Sequence, residues 1–537
     1  MPRRLPPTLL LVLLAGPLLP PVLSAVLSPH ALDAFAEWDR LGALLSNTAL
    51  LTLFAQLVAV PLGSLLAVVT ARGPAVPAKF LRAAVLVGLA VPLPVTAVAW
   101  QAVLGGWLPS MALDPGAVAW RAWNTGLLPA AWVHGMAGVP WVAWVVGGVL
   151  ARTDQTLEDD ATLSDGRAAV LWRVVLPRAV LAAVVSAGWV GVQTATEIPI
   201  TDSMMVRTFA EEVYTQLVGD VSRVGAAVAV SVPVWAAGAV AGVLAVRRVR
   251  VSAETSPARP LVGWGWAAGG GAVVLLALGV PVLALLVKAS AGGLVANLSN
   301  AVRANWQVLL TSLLWAAVAG VLTAVLAQRA CWHAARSRWF AGLLVGVCVL
   351  LALAPGPVVG FALKWDTLEL VKLEDAALGG RDAGPVHPLA AVLWEGPTAV
   401  PVLWAAVVRL FPLACAVLWP AVRAIPNELY EAAAVDGGGE WRLVVAPLTR
   451  RAFAAAAVGV TALSLGEVSA AKVVAPPGYQ SFVLQLFQQM HYGAEATVAA
   501  LAVVQLAVTS GLMLAGVWLS GHEKTAGSRD SPGGGSG

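Results

Sequence analysis

Long apolar runs separated by short polar segments follow one another along almost the whole chain. A helix that crosses a membrane needs about 20 mostly apolar residues. By that measure the pattern predicts twelve spans, at about residues 7–27, 45–70, 80–106, 126–150, 178–200, 223–246, 261–287, 306–328, 340–363, 397–420, 450–471 and 496–519. The predicted fold class is therefore an all-α polytopic membrane protein.

Composition agrees with this class and leaves no room for a large soluble domain. Hydrophobic residues make up 59% of the chain and charged residues 12%, whereas soluble domains carry about 25% charged residues. Most Lys and Arg fall on alternate connections, which predicts a bacterial plasma-membrane protein with both termini in the cytoplasm. The net charge of +4 therefore does not indicate nucleic acid as a partner.

The first apolar run has a second interpretation as a cleaved signal peptide. Arg3 and Arg4 precede its apolar core, and the small residues Ser24 and Ala25 follow it. A cleaved signal would enter the membrane in the same orientation, so the predicted topology of the remaining spans does not depend on the choice.

The chain also repeats itself at a nearly constant offset. Pro92-Leu93-Pro94 matches Pro355-Gly356-Pro357, and five further matches follow in the same order. They pair Pro140 with Pro412, Asp160 with Glu431, Pro177 with Pro447, Glu197 with Glu467, and Phe209 with Phe482. Six spans per half is an even number, so the two halves have the same orientation, as in transporters built from parallel repeats.

The repeat predicts the domain organisation. Residues 1–250 form the first half, 251–260 a cytoplasmic linker, 261–520 the second half, and 521–537 a polar tail without regular structure.

Two loops at equivalent positions carry an unusual pattern. The second loop, about 426–447, opens on Pro426 and Glu428, continues through Glu431 and three alanines, and reaches three glycines from Gly437. Pro and carboxylates favour the start of a helix, and glycine favours its end. The first loop, about 153–177, occupies the same place in the first half.

The second loop resembles the EAA loop of binding-protein-dependent ABC transporter permeases, the MetI-like family. The resemblance implies that Glu431, Ala432, Ala433 and Gly437 contact a cytoplasmic ATPase subunit, and that Asp160, Ala161 and Gly166 do so in the first half. Two such loops imply two copies of the ATPase. The first copy reads Asp-Ala-Thr, and both loops have a shorter stretch between glycine and proline than is usual in the family, which predicts a shortened coupling element.

This chain lacks the usual means of hydrolysing ATP. A P-loop requires Gly-Lys, and no lysine here follows a glycine. We therefore expect no enzymatic activity and no cofactor, with ATP bound by the partner ATPase. Cys331, Cys348 and Cys415 have no metal-ligand spacing, so no metal site is predicted and buried packing is expected.

Three charged residues within predicted spans are candidates for a translocation pathway. Glu197 and Glu467 lie at equivalent positions, and Arg409 lies inside the tenth span. Carboxylates at membrane depth usually face a polar interior. The alternatives are that each Glu sits at the end of a helix at the outer interface, and that Arg409 pairs with an acid or reaches the interface.

Two functional classes remain open. The resemblance favours a permease subunit of an ABC importer, with a soluble substrate-binding protein docking on the outer side, membrane lipid around the spans, and the fused two-half form typical of iron(III) or thiamine importers. Iron(III) is the favoured cargo, with thiamine or another small solute or anion as alternatives. An ion-coupled secondary transporter is the other class. A membrane enzyme ranks last because no His, Asp or Cys cluster lies at the ends of the spans.

Overall fold

A computed structural model gives the fold of the chain. It describes residues 7–27, 38–106, 125–153, 155–211, 256–257, 259–378, 387–396, 398–435, 437, 439–490 and 495–521. Within these ranges the chain is almost entirely helical, and the one extended pairing joins β1 (Arg152–Thr153) to β2 (Ser256–Pro257) in antiparallel register. The predicted all-α polytopic class is confirmed.

Assigned to the two halves that the sequence repeat predicts, the described helices are the following. The first half contains α1 (Pro7–Ala15), α2 (Leu19–Leu27), α3 (Trp38–Arg72), α4 (Ala75–Leu89), α5 (Leu93–Gly106), α6 (Leu127–Leu150), α7 (Gln155–Ala169), α8 (Leu176–Thr196) and α9 (Pro199–Ser203). The second half contains α10 (Trp264–Val274), α11 (Val280–Ala289), α12 (Leu294–Arg336), α13 (Arg338–Leu353), α14 (Gly356–Leu378), α15 (Pro388–Leu393), α16 (Val400–Arg423), α17 (Asn427–Val435), α18 (Ala446–Leu448), α19 (Arg450–Ser464), α20 (Ala471–Val474), α21 (Phe482–Gln489) and α22 (Glu495–Gly521).

Seven helical stretches are long and apolar enough to cross a membrane, and three bent pairs bring the number to at most ten in the described part of the chain. The twelve predicted spans are therefore not all confirmed. The run 7–27 is divided by a 3₁₀ turn at Gly16–Leu18 into α1 and α2, which are each too short to be counted. The predicted span 223–246 and the tail 522–537 lie outside the described residues, and the predicted domain boundaries stay a prediction.

Prolines produce the sharpest bends, at matching places in the two halves. The pair α4–α5 bends by 105° just before Leu93, and the pair α13–α14 bends by 105° just before Gly356. Proline lacks a backbone N–H and clashes with the preceding helical turn, so Pro92 and Pro355 account for these breaks. Both bends lie at the centre of the molecule, where they position the chamber described below.

The first helical segment of each half packs on the other half. α1, α2 and the turn between them contact α12, α13 and α14, while α10 and α11 contact α3, α4 and α5. Leu11, Leu14 and Leu18 are buried in one apolar cluster with Phe340 and Leu344 of α13. The exchange ties the two halves together through buried apolar surface.

A matched hydrogen bond also links equivalent residues. The backbone N–H of Phe209 donates to Thr48 Oγ1 at 3.0 Å, and that of Phe482 donates to Ser312 Oγ at 3.0 Å. The two hydroxyls lie on the longest described helix of each half, α3 and α12. The segment that follows Glu197 and the segment that follows Glu467 are thus held in the same way.

The three cysteines come together in the core of the second half. Cys331 of α12 donates from Sγ to the carbonyl of Cys415 of α16 at 3.8 Å, and Cys348 of α13 lies against the same cluster. All three are free thiols. In the described part of the chain no group of His, Cys, Asp and Glu has the arrangement of a metal site.

Candidate functional site

The first loop is a helix broken by a glycine. Gly166 interrupts α7 with φ +78° and ψ 168°, a conformation that is essentially restricted to glycine. A π-helical stretch, Val170–Val175, follows it and leads into α8. Asp160 is exposed and Ala161 is half-buried against the core of the first half.

The second loop has the same order of elements. α17 carries Glu428 in its first turn, Gly437 follows with φ +67°, and a π-helical stretch at Trp441–Val445 precedes α18. Glu431 and Ala432 are exposed, whereas Ala433 is buried against the core of the second half. The exposed face is thus formed by a carboxylate and a small side chain, which allow close approach of a partner surface.

An arginine at the end of α3 anchors the first loop from inside the protein. Arg72 is fully buried, and its Nη1 and Nη2 donate to the two carboxylate oxygens of Glu158 at 2.9 and 2.6 Å. Its Nε donates to the carbonyl of Leu150 at 2.7 Å, at the end of α6. Its own carbonyl accepts the N–H groups of Leu261 and Val262. One side chain therefore joins α3, α6 and α7, while its backbone holds the segment that enters α10.

The second loop is anchored nearer the surface. Arg336, at the end of α12, pairs with Glu440, and its guanidinium lies 5.0 Å from the centre of the Tyr430 ring. The side chains of Arg336 and Glu440 are 43% and 20% exposed. Burial raises the pKa of the Tyr430 phenol above its ordinary value, although Arg336 opposes this shift. The phenol therefore stays neutral across the physiological range.

A chamber of about 170 Å³ lies between the two halves, beside the two proline bends. Its walls come from both halves and include Pro92, His134, Thr194 and Glu197 of the first, and Arg409, Glu467 and Ser469 of the second. His134 is buried, and its Nε2 has no hydrogen-bond partner among the described residues.

The second half neutralises its own glutamate. Arg409 Nε donates to Glu467 Oε2 at 3.0 Å, and Arg409 Nη1 donates to the carbonyl of Ala354 at 3.3 Å. The other oxygen, Glu467 Oε1, accepts the N–H of Ala470 at 2.9 Å. The carbonyl of Ala354 can accept this hydrogen bond because the helix breaks at Pro355.

The first-half glutamate has weaker support. Glu197 ends α8 in extended backbone and is 6% exposed. Ser469 Oγ of the other half lies 3.4 and 3.5 Å from its two oxygens, at the outer limit of a hydrogen bond. At the position of Arg409, which is 272 residues after Ala137, the first half has only a methyl group. A buried carboxylate in this setting requires a proton or a cation to neutralise it.

Of the residues singled out from the sequence, the structure brings Glu197, Glu467 and Arg409 together in one chamber. The seven loop residues lie in two separate loops, and Asp160 and Glu431 are both exposed.

Three residues that contribute to these sites were missed. Arg72 and Glu158 anchor the first loop, and Ser469 faces Glu197. Arg72 could have been found, because it precedes Arg336 by 264 residues, the same offset that separates Thr48 from Ser312. Ser469 has no counterpart of its own chemistry in the repeat, since Pro199 stands at the equivalent place.

The fold and these loops define a multi-pass, all-helical membrane protein with a chamber between two like-ordered halves. Residues 316–520 match the family model described as the inner membrane component of binding-protein-dependent transport systems. The matched segment contains the second loop, Arg409 and Glu467. It supports a permease subunit of a binding-protein-dependent ABC importer. No curated protein matches the chain.

Proposed function

We propose that this protein is the membrane-spanning subunit of an ATP-driven importer, in which its two halves form a single translocation pathway. A soluble substrate-binding protein delivers cargo on the outer side, and two cytoplasmic ATPase subunits each bind one loop. The observation that carries the proposal is the second loop, a helix with an exposed Glu-Ala face ending at a positive-φ glycine, inside the segment that matches the transport family. The first loop has the same order of elements.

The two anchoring arginines give the loops a mechanical connection to the bundle. Arg72 joins the first loop to the ends of α3 and α6, and Arg336 joins the second loop to the end of α12. A displacement of either loop by an ATPase therefore moves a long helix, and these helices carry Thr48 and Ser312, which hold the segments beyond the chamber.

Charge in the chamber favours a cationic cargo. Two carboxylates and one guanidinium line it, and Glu467 is already paired with Arg409. Glu197 is left to accept a proton or a cation, whereas an anion would meet an unpaired carboxylate. Iron(III) and the thiamine cation both satisfy this requirement, and iron(III) is the cargo we propose first. An anionic cargo fits less well.

The coupling test uses the paired variant Glu431→Gln and Gly437→Ala in proteoliposomes with the ATPase and the binding protein. We expect loss of cargo-stimulated ATP hydrolysis and of uptake, with normal insertion of the chain. Lys372→Gln, an exposed change on α14, is the control. Normal stimulation and uptake by the paired variant would show that the second loop is not the coupling site. Uptake by the chain alone, without an ATPase, would instead indicate a secondary transporter.

The pathway test replaces Glu197 by Gln. We expect uptake of a cationic cargo to fall while ATPase binding is retained. Glu369→Gln, an exposed residue whose partner is Lys372, is the control. Equal uptake by the Glu197 variant and the control would show that Glu197 and its chamber are not part of the translocation pathway.

A further inference from the structure

A second cavity, far larger than the chamber, opens on the side of the second half. This groove has a volume of about 970 Å³ and is lined by α1, by one face of α12, by the start of α16 and by the residues just after Gly437. Its apolar walls include Leu9, Leu13, Leu322, Leu326 and Leu403. Leu9, Leu13 and Leu322 are exposed and are not fully covered by any of the described residues.

One end of the groove is basic. Arg329, His333 and Arg442 line it beside the second loop, and Arg329 lies 3.7 Å from the centre of the Trp441 ring. Among the described residues that line the groove, Glu440 is the one carboxylate, and it is paired with Arg336. Arg442 is exposed, so this end offers positive charge.

The first half shows that the basic end is not required by the fold. Leu65 and Val69 stand 264 residues before Arg329 and His333, at the offset that also relates Arg72 to Arg336. There the surface is covered, because Gly269 of α10 lies against Leu65 and Gly270 lies against Val69. Basic side chains therefore occur in the half where the groove is open, and apolar ones where a helix fills the same place.

We propose that this groove binds a phospholipid with an anionic headgroup. An acyl chain lies along the leucines of α1 and α12, and the phosphate contacts Arg442 and Arg329 beside the second loop. Basic pockets between membrane helices suit such headgroups, and burial of the acyl chain adds to the affinity. The other candidate occupant is the chain's own segment 1–6, but Arg3 and Arg4 give it the same sign of charge as the groove.

The test is native mass spectrometry of the purified full-length chain after delipidation and addition of phosphatidylglycerol or phosphatidylcholine. We expect one phosphatidylglycerol to be retained in preference to phosphatidylcholine. Arg442→Gln lowers that preference about fivefold, the effect of one surface charge. Arg178→Gln, an exposed arginine on α8 away from the groove, leaves it unchanged.

A second variant tests the apolar wall without changing charge. Leu13→Trp fills the groove and reduces retention of either lipid, whereas Leu283→Trp, an exposed site on α11, does not. Equal retention of the two lipids by the wild-type chain, or equal effects of Arg442→Gln and Arg178→Gln, would overturn the proposal. So would retention that appears only after residues 2–6 are deleted, because the groove would then belong to the chain's own terminus. None of these measurements requires the ATPase, so they can fail independently of the proposed function.

Discussion

The two loops share one backbone design but are anchored in opposite environments. Arg72 and Glu158 form a buried ion pair with two hydrogen bonds in the first half, whereas Arg336 and Glu440 form a partly exposed one in the second. The copy whose sequence departs from the Glu-Ala-Ala pattern is the one with the buried anchor. The difference teaches that the short loop sequence and its attachment to the bundle vary independently.

The largest loss in the free energy of unfolding is expected for Glu158→Ala. The change removes the carboxylate that accepts from both Nη atoms of the buried Arg72 guanidinium, and breaking a buried ion pair costs about 3–5 kcal/mol. Thermal unfolding in detergent, followed by the loss of helical signal, measures it. Asp159→Ala is the matched control, because its neighbouring pair with Arg259 is exposed on both sides and contributes about 0–1 kcal/mol. Similar losses for the two variants would show that the buried pair is not a strong anchor.

The second largest losses of stability are expected for substitutions of the loop glycines, with similar losses in the two halves. Gly166→Ala forces a side chain into a conformation that costs about 1–3 kcal/mol, and Gly437→Ala costs about 1–2 kcal/mol. No atom of the described residues lies within 4 Å of a methyl group added at either glycine, so we expect backbone strain to set the cost. The same unfolding measurement applies. Gly148→Ala, also in open space but with ordinary helical backbone, should cause no loss, and equal tolerance at Gly148 and Gly166 would contradict the expectation.

A smaller loss in the free energy of unfolding is expected at the hydrogen bond that each half makes at an equivalent place. Ser312→Ala removes the acceptor of the Phe482 N–H and costs about 1 kcal/mol. Thr48→Val should cost less, because Thr48 is only half-buried and water can replace the hydroxyl. Thr311→Val, whose hydroxyl bonds to its own helix, is the control. A larger loss at Thr48 than at Ser312 would mean that burial does not set the cost.

Sequence periodicity was sufficient for the fold class, and the repeat was sufficient to place both loops at equivalent positions. Ten of the predicted spans coincide with helices or bent pairs. The run 7–27 was predicted as one span because its composition is apolar, but Gly16 and Pro17 divide it. Hydropathy reports how apolar a segment is, but it does not show whether the segment forms one continuous helix.

The chamber and the anchors could be predicted only in part. The repeat pairs Glu197 with Glu467, but it cannot show that Arg409 donates a hydrogen bond to Glu467, because that contact depends on the packing of α16 against the segment after α19. Glu158 lies in a loop with four other acidic residues, and its contact with the buried Arg72 distinguishes it. Such contacts join residues that are far apart in the chain, and no local pattern encodes them.

The smallest loss in the free energy of unfolding is expected for Glu440→Ala. Its size shows whether the second loop is anchored as strongly as the first. Arg336 and Glu440 are partly in solvent, so their pair should contribute only about 0.2–1 kcal/mol, and less at high salt. Arg336 also keeps its contact with the Tyr430 ring when Glu440 is lost. Thermal unfolding at low and high salt measures both features, with Lys372→Ala, from another exposed pair, as the control. A salt-independent loss as large as that of Glu158→Ala would mean that the second loop is anchored as firmly as the first, because a buried pair is screened far less than an exposed one. A small, salt-sensitive loss would instead leave the second loop free to move with a partner at little cost in stability.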